Sequence, residues 1–403
     1  MAASRQMGLE TGGVRRGLAG FFLSGVLVSL LGAILPAWEY HRTTTYELVA
    51  YHFFGFTIGI LAATRYSYLL IKHKGLRITL FSAALAAFLG MLGLAAAGPP
   101  QQWWWRVAAL AVIGAAAGTL HAGIFHLIMP AYEQNPAAIV NLAGIFFGLG
   151  CLSTALLVAG AFYIYTMASI VIMLALIPGF HAIGYWRSRF VDQPLLPKRT
   201  MHQAMEDFSR PAAILFALLL FFQFGNEWAL AGWLPLFLIQ RLGISPETSV
   251  WMLAFYWVAL LLGRVAAQAI LPRVSHTKLL FSSMMSAWFG CTLLWLTNNL
   301  FGATVGILMT GAGFATIYPL VVERLGNRFP YYHPGFFNGI FSLAVVGALL
   351  APGTLGFLAN EFGVGIVMAL PLLGTAAVFV ILGLLWLETK LSGMAGVSEK
   401  AGS

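Results

Sequence analysis

Charged side chains are scarce in this 403-residue sequence, since Asp, Glu, Lys and Arg make up only 9% of it. A soluble globular domain usually carries about 25%. Hydrophobic residues account for 60% of the chain, and they fall in continuous runs of about 20 residues, the length of a membrane-spanning helix. The alternation of apolar and polar residues that marks barrel strands is missing. The sequence therefore excludes an ordinary soluble protein and predicts an all-α integral membrane protein.

Cysteine and the familiar catalytic motifs are also lacking. Cys151 and Cys291 are the only cysteines, and both fall inside apolar runs, so we expect no disulfide framework. No phosphate-binding loop, zinc-ligand spacing or nucleophile elbow occurs, so we expect no metal, no cofactor and no enzymatic activity. The absence of an Asn-x-Ser/Thr acceptor favours a multi-pass protein of a bacterial inner membrane.

The net charge of +9 has a regular layout along the chain. Basic residues cluster in alternate loops, whereas the loops between them hold only Arg42, Arg106 and Arg241. Because cytoplasmic loops of membrane proteins are enriched in Lys and Arg, we expect both termini in the cytoplasm. A nucleic-acid partner is not expected, because no exposed segment concentrates the positive charge.

Apolar runs separated by charged or Pro- and Gly-rich breaks predict twelve transmembrane spans. The spans are residues 17–38, 47–71, 77–98, 104–129, 136–159, 161–185, 211–239, 248–271, 278–297, 300–324, 334–359 and 362–387. The polar stretch 187–210 divides them into six plus six. The expected organisation is a cytoplasmic tail 1–16, a six-helix bundle 17–186, a cytoplasmic linker 187–210, a second six-helix bundle 211–388 and a cytoplasmic tail 389–403.

The span around residues 221–237 is unusual because it carries Gln223, Asn226 and Glu227 within an apolar run. A charged group inside a bilayer costs about 2.5 to 3.5 kcal/mol, so it usually faces a polar cavity or a partner. The three residues stand at i, i+3 and i+4 and share one helical face. We expect that face to line a cavity.

The two halves of the chain are similar to each other. Several positions recur 200 residues apart, and in the fifth span of each half the offset becomes 197. The matched pairs include Phe21 with Phe221, Gly25 with Gly225, Gly90 with Gly290, Asn141 with Asn338 and Gly150 with Gly347. In a transporter built of repeats, the substrate site lies between them near mid-membrane. Leu27 occupies the position of Glu227 in the first half, so the site would be asymmetric.

The seventh span carries the most specific motif of the sequence. Gly225, Glu227, Gly232 and Trp233 match the Gly-x-Glu-x-x-x-Gly-Gly-Trp-Leu pattern of the fucose-proton symporter family, with Ala231 replacing one Gly. The chain thus resembles this family of sugar carriers within the major facilitator superfamily. The resemblance implies two pseudo-symmetric six-helix bundles, and uptake of a neutral monosaccharide with protons.

A second motif follows the eighth span. Gly263, Arg264, Arg273 and Lys278 match the gating-loop signature of the same superfamily, whereas Pro272 stands where that signature has Asp. The resemblance therefore implies a gating role for these four residues. Counting from Gly118, His121 stands where the family often carries a Glu in its fourth span, and no Asp lies inside the first span.

The candidate site combines acid, base, amide and aromatic side chains. Burial favours the neutral form of a carboxylate, and imidazole titrates near neutral pH, so Glu227 and His121 are the candidates for proton coupling. Amides can bond substrate hydroxyls, and aromatic rings can pack on apolar sugar faces. The residues predicted to bind substrate are Gln223, Asn226, Glu227, Trp233, His121, Asn141, Asn338, Tyr256 and Trp257.

The expected function is secondary active transport of a small neutral solute by alternating access coupled to protons. A monosaccharide is the first candidate for this solute. The expected partners are the solute, protons and the lipid bilayer, with the chain acting as a monomer. Three alternatives stay open from the sequence. Glu227 could pair structurally with Arg264, the chain could export amphipathic drugs or lipids, or it could be a transport-inactive sensor or scaffold, since a fold alone does not establish activity.

Overall fold

The computed structural model describes residues 2–42, 45–99, 101–190, 208, 210–329 and 339–401. Asn338 and most of the expected linker 187–210 lie outside the described residues. The described part is helical throughout. Its helices are α1 (Ala2–Ile34), α2 (Glu47–Ala96), α3 (Trp103–Gln134), α4 (Pro136–Ala161), α5 (Met167–Trp186), α6 (Pro211–Leu242), α7 (Pro246–Ile270), α8 (His276–Leu296), α9 (Leu300–Arg328), α10 (Gly339–Phe362) and α11 (Ile366–Ala401).

Helix α2 contains two of the expected spans. Gly75 interrupts it with a φ of 77° and a ψ of 168°, a conformation that glycine adopts at no steric cost, so the helix consists of two arms, 47–74 and 76–96. The prediction of twelve transmembrane helices is therefore confirmed. In the described part, eleven helical segments are long and apolar enough to cross a membrane, and the apolar helix Glu47–Ala63 is shorter.

Local hydrogen-bonding chemistry sets several helix starts. The expected span 161–185 begins only at Met167, because the Thr166 hydroxyl accepts a hydrogen bond from the Ser169 backbone N–H at 3.3 Å and starts α5 there. Ser245 starts α7 in the same way, and Pro246 occupies the first helical position. At the N-terminus α1 begins at Ala2, so the helix extends beyond the expected start of the first span at residue 17.

The two halves have equivalent packing. In the first half α1 packs on α4 and α2 on α3, and in the second half α6 packs on α10 and α7 on α9. The halves meet through α2 with α10, α4 with α7 and α1 with α6. The duplication seen in the sequence thus appears as two similar helical bundles that face each other.

Matched glycines allow close helix approaches within each half. A Cβ on Gly150 of α4 would overlap the Phe22 carbonyl oxygen of α1, and a Cβ on Gly347 of α10 would overlap the Phe221 carbonyl oxygen of α6. Small residues let membrane helices approach until their backbones touch. Gly150 and Gly347 are one of the sequence-matched pairs, so the repeat preserves the same helix contact in both halves.

Candidate functional site

A cavity of about 230 Å³ lies between the two halves. Helices of both bundles contribute to its wall. Its lining is Phe21, Ser24 and Val28 of α1, Ile60 of α2, Ala117, Gly118, His121, Ala122, Phe125 and Ile128 of α3, Val140, Ala143, Gly144 and Phe147 of α4, Phe224, Glu227 and Trp228 of α6, Arg264 of α7, Tyr318 and Pro319 of α9, and Val345, Ala348 and Leu349 of α10. The wall is mostly apolar and aromatic, and its ionisable groups come from different helices.

Helix α6 presents Phe224, Glu227 and Trp228 to the cavity. Gln223 is buried behind this face and donates a hydrogen bond from Nε2 to Oε1 of Glu227 at 2.7 Å. Asn226 is also buried, and its Nδ2 lies 3.5 Å from Oγ1 of Thr375 on α11. The expectation that all three polar residues line the cavity therefore holds for Glu227 alone. The residues of α6 that face the cavity are therefore 224, 227 and 228 instead of 223, 226 and 227. The two amides have hydrogen-bond partners within the bundle.

Arg264 brings a second charge to the cavity. The arginine is only 7% exposed. A Cβ on Gly144 of α4 would overlap Nη1 of Arg264, so the guanidinium lies directly against that glycine. Nε and Nη1 of Arg264 have no hydrogen-bond partner. Glu227 is its foremost electrostatic neighbour, yet among the described residues no carboxylate oxygen lies within 4.0 Å of it. The two opposite charges share the cavity without forming a direct ion pair.

His121 lies on the cavity face of α3. Gly118 and Phe125 share that face, as the sequence predicts, whereas Gly114 packs against the Phe56 backbone of α2. The imidazole makes an edge contact with the Phe125 ring at 4.7 Å between centroids and another with Phe21 at 5.9 Å. Among the described residues it has no hydrogen-bond partner, so its nitrogens are available to a solute or a water molecule.

The other predicted binding residues lie outside the cavity wall. Asn141, Tyr256 and Trp257 are buried, and each has a side-chain polar atom without a hydrogen-bond partner. Tyr256 nevertheless lies near enough to Glu227 and Arg264 to interact with them electrostatically. Their roles in binding stay predictions, since the structure places them behind the wall of the cavity and not on it.

Trp233 belongs to a layer that closes one end of the cavity. Its indole Nε1 donates to the Pro352 carbonyl of α10 at 2.8 Å, and its ring stacks on Phe53 of α2 at 6.1 Å. Thr57 Oγ1 donates to the Leu349 carbonyl at 3.0 Å in the same region. The Thr57 bond and the Phe53 stacking join α2 of the first half to α10 and α6 of the second half, whereas the Trp233 bond lies within the second half. These contacts hold the two halves together on the side of the α1–α2 connection.

The predicted gating loop separates into two environments. Gly263 packs against α9, since its Cβ would lie 2.8 Å from Cβ of Ala315. Arg264 is buried at the cavity, whereas Arg273 and Lys278 are exposed beyond the end of α7. A shared gating role for these four residues stays a prediction, since Arg264 lines the cavity and Arg273 and Lys278 lie outside it.

Sequence reasoning missed most of the cavity wall. Phe224 lies three residues before Glu227 and Trp228 one residue after it, so the three residues share a second helical face. Considering both faces that contain Glu227 would have identified Phe224 and Trp228. Tyr318 stands next to Pro319 within α9, and neither residue was a candidate binding residue from the sequence. Among the described residues no cluster of three or more His, Cys, Asp or Glu side chains could hold a metal ion.

Comparison with known proteins places the chain in a family. The model of the Major Facilitator Superfamily matches residues 17–345. A Helicobacter pylori (strain J99) protein that carries the provisional name of a glucose/galactose transporter is 27% identical over 160 residues, which is 39% of this chain and 38% of the relative. An uncharacterized MFS-type transporter of Yersinia pestis is 23% identical over 153 residues, 38% of this chain and 40% of the relative. These matches span about two fifths of the curated relatives.

Solved structures share the fold over nearly the whole length. The E. coli fucose:proton symporter superposes with a TM-score of 0.65 at 15% identity, covering 94% of this chain and 99% of that one. A D-xylose-proton symporter superposes with a TM-score of 0.71 at 14% identity, covering 91% and 96%. Identities this low establish the fold and nothing finer. Because the family model covers most of the sequence and the architecture agrees, the chain belongs to the Major Facilitator Superfamily.

Proposed function

We propose that this chain is a secondary active transporter that moves a small organic solute across the membrane by alternating access, coupled to protons. The observation that supports this proposal most is a cavity between the two bundles that holds Glu227, Arg264 and His121. Ionisable groups at membrane depth typically mark a solute or proton path. A scaffold would have no need of such a cavity, and a transport-inactive sensor would bind a ligand there without counterflow.

The mechanism requires that protonation of Glu227 or His121 favours one facing state over the other. A proton shifts such an equilibrium only by its difference in affinity between the two states. With both termini in the cytoplasm, the layer around Trp233 would close the outer side, and the described conformation would be the one closed to the exterior. The bundle boundaries 17–186 and 211–388, a monomeric state and a bacterial inner-membrane location belong to the same proposal.

A monosaccharide is the first candidate solute. The names of the Helicobacter pylori relatives and of the two structural neighbours support it, since these proteins are named for glucose/galactose, fucose and xylose. Glu227, His121, Ser24 and Tyr318 would then bond the hydroxyls, while Phe224 and Trp228 would pack on the apolar face of the ring.

A second candidate, an amphipathic compound, is favoured by the lining itself. Only five of the lining residues, Ser24, His121, Glu227, Arg264 and Tyr318, carry a polar side-chain group other than the indole N–H of Trp228. A hexose has five hydroxyl groups that each lose hydrogen bonds to water on binding, and unpaired polar groups are costly. An apolar body with one polar end fits such a wall at lower desolvation cost.

Uptake into proteoliposomes tests the proposal. Labelled hexoses and deoxyhexoses are offered with and without an inward proton gradient at matched sodium, beside protein-free vesicles. Accumulation that depends on the gradient supports a proton-coupled sugar transporter and names its substrate. If no sugar enters under any gradient and no counterflow occurs, the sugar assignment is wrong and amphipathic compounds become the leading class.

A further inference from the structure

Arg264 is the least satisfied charged group in the cavity. It is buried on α7, it lies against Gly144 of α4, and two of its guanidinium nitrogens have no partner. Arginine stays protonated in proteins and binds planar anions through a fork of N–H donors. Buried charges are normally paired, because leaving one unpaired costs several kcal/mol. A ligand that completes this site should therefore bring an anionic group to Arg264.

The rest of the cavity defines the body of that ligand. Phe21, Phe125, Phe147 and Phe224 line it together with Trp228, and aliphatic side chains fill the remaining wall. Such walls bind flat apolar ring systems, which pack against the aromatic side chains in offset or edge-to-face contacts. The volume of about 230 Å³ accommodates a ligand of one or two rings.

Charge balance connects this ligand to the proton. The charged and titratable groups that face Arg264 are Glu227 of α6, Tyr318 of α9, Cys151 of α4 and Tyr256 of α7, and His121 of α3 shares the cavity. With Glu227 ionised, the carboxylate and the guanidinium balance each other. Adding an anion leaves one net negative charge in a low-dielectric site, and this is avoided when Glu227 takes up one proton.

On the basis of the proposed transport function, we infer that the solute is an organic anion with an apolar, ring-sized body, that its anionic group binds Arg264, and that one proton enters with it on Glu227. Arg264 thereby selects the charge of the solute, and the aromatic wall selects its body. Transport of a monovalent anion with one proton moves no net charge across the membrane. This organic anion is an alternative to the neutral monosaccharide as the transported solute.

Binding of naphthalene-2-sulfonate to the full-length protein in lipid nanodiscs tests the anion site. This probe stays charged and does not cross bilayers, and naphthalene-2-sulfonamide is its neutral analogue. Equilibrium dialysis should show at least tenfold tighter binding of the sulfonate. Arg264→Gln should weaken sulfonate binding at least tenfold and leave sulfonamide binding within twofold, which also shows that the variant is folded. Lys72→Gln, at an exposed basic residue, is the matched control and should match the wild type.

The proton is measured in the same samples. In weak buffer with a pH-sensitive dye, sulfonate binding should take up close to one proton per molecule bound, and Glu227→Gln should bind the probe without proton uptake. Equal binding of sulfonate and sulfonamide, or no effect of Arg264→Gln, overturns the anion site. Binding without proton uptake in the wild type overturns the coupling. Gradient-driven uptake of a hexose with no sulfonate binding overturns this inference and leaves the transport proposal standing. Sulfonate binding without any driven transport supports the anion site at Arg264 and overturns the transport proposal.

Discussion

At the scale of single residues, Gly144 controls where the Arg264 guanidinium can lie. The glycine has no side chain, and the guanidinium occupies the space that a Cβ would take. We expect Gly144→Ala to push this flexible group aside and weaken solute binding by about tenfold, since charge-assisted hydrogen bonds contribute roughly 1.5 to 3 kcal/mol. The measurement is the dissociation constant of the transported solute. Gly160→Ala in the same helix, where no atom lies within 4 Å, should leave binding unchanged, and equal effects of both variants would contradict this role.

Glu227 and His121 are expected to separate driven transport from exchange. Replacing Glu227 by Gln removes the proton-binding group, and replacing His121 by Ala removes the imidazole, so each variant should lose gradient-driven uptake while it retains solute counterflow. Both reactions are measured in the same proteoliposomes. Glu361→Gln, at an exposed residue of α10, is the control and should behave as the wild type. Unchanged driven uptake in both test variants would refute the coupling role.

The sequence predicted which residues are chemically unusual better than it predicted which way they face. Glu227 and His121 line the cavity, whereas Gln223 and Asn226 point into the bundle. Spacing places 223, 226 and 227 on one stripe, and it equally places 224, 227 and 228 on another. Only the neighbouring helices decide between the two, because they supply Thr375 as a partner for Asn226. Such partners are more than 100 residues away along the chain and leave no local signal.

At the scale of helices, the hydrogen bond between Thr57 of α2 and α10 joins the two halves beside the cavity. The Thr57 hydroxyl donates to the Leu349 carbonyl at 3.0 Å. Thr57→Val keeps the size of the side chain and removes this hydrogen bond, whose net value is about 0.5 to 1.5 kcal/mol, so the closed state should become roughly two- to tenfold less populated. A cysteine introduced at the buried Leu31, labelled with an impermeant maleimide from the outside, should react faster by that factor.

Thr354→Val is the matched control for this variant, because the Thr354 hydroxyl is exposed on α10 and donates to the Leu350 carbonyl of the same helix. It should not change the labelling rate. If Thr57→Val and Thr354→Val label alike, the Thr57 hydrogen bond does not hold the closed state.

Helix number followed from the sequence, but the helix ends did not. Runs of about 20 apolar residues are required by the bilayer, so their count is a strong signal. The continuity of α2 through Gly75 and the late start of α5 at Met167 depend on the backbone conformation of one glycine and on the hydroxyl of Thr166. Single hydrogen bonds of this kind change boundaries without changing composition.

At the scale of the whole molecule, the distribution of Lys and Arg predicts the orientation. Both termini are expected in the cytoplasm, with the α4–α5 connection outside. A fluorescent-protein fusion after residue 403 should fluoresce, and an alkaline-phosphatase fusion after residue 164 should be active. The reverse pattern is an alkaline-phosphatase fusion that is inactive after residue 164 and one that is active after residue 403. It would show the opposite orientation, and the closed side of the cavity would then face the cytoplasm.

The duplicated sequence predicted the overall architecture, because matched glycines such as Gly150 and Gly347 make the same helix contacts in both halves. The asymmetry of the cavity was also visible, since Leu27 replaces Glu227 in the first half. The sequence also offered Arg264 as a partner of Glu227, but it did not place the guanidinium against Gly144. The burial of Arg264 results from the packing of α7 against α4, which no local pattern specifies.

The central claim is that solute and proton cross this molecule together through the cavity that holds Glu227. The most direct measurement is substrate-evoked proton entry into proteoliposomes that contain a pH-sensitive dye, with protein-free vesicles as the control. Addition of the transported solute outside should acidify the lumen in wild-type vesicles and not in Glu227→Gln vesicles. Counterflow of the same solute without any acidification in the wild type would contradict the account.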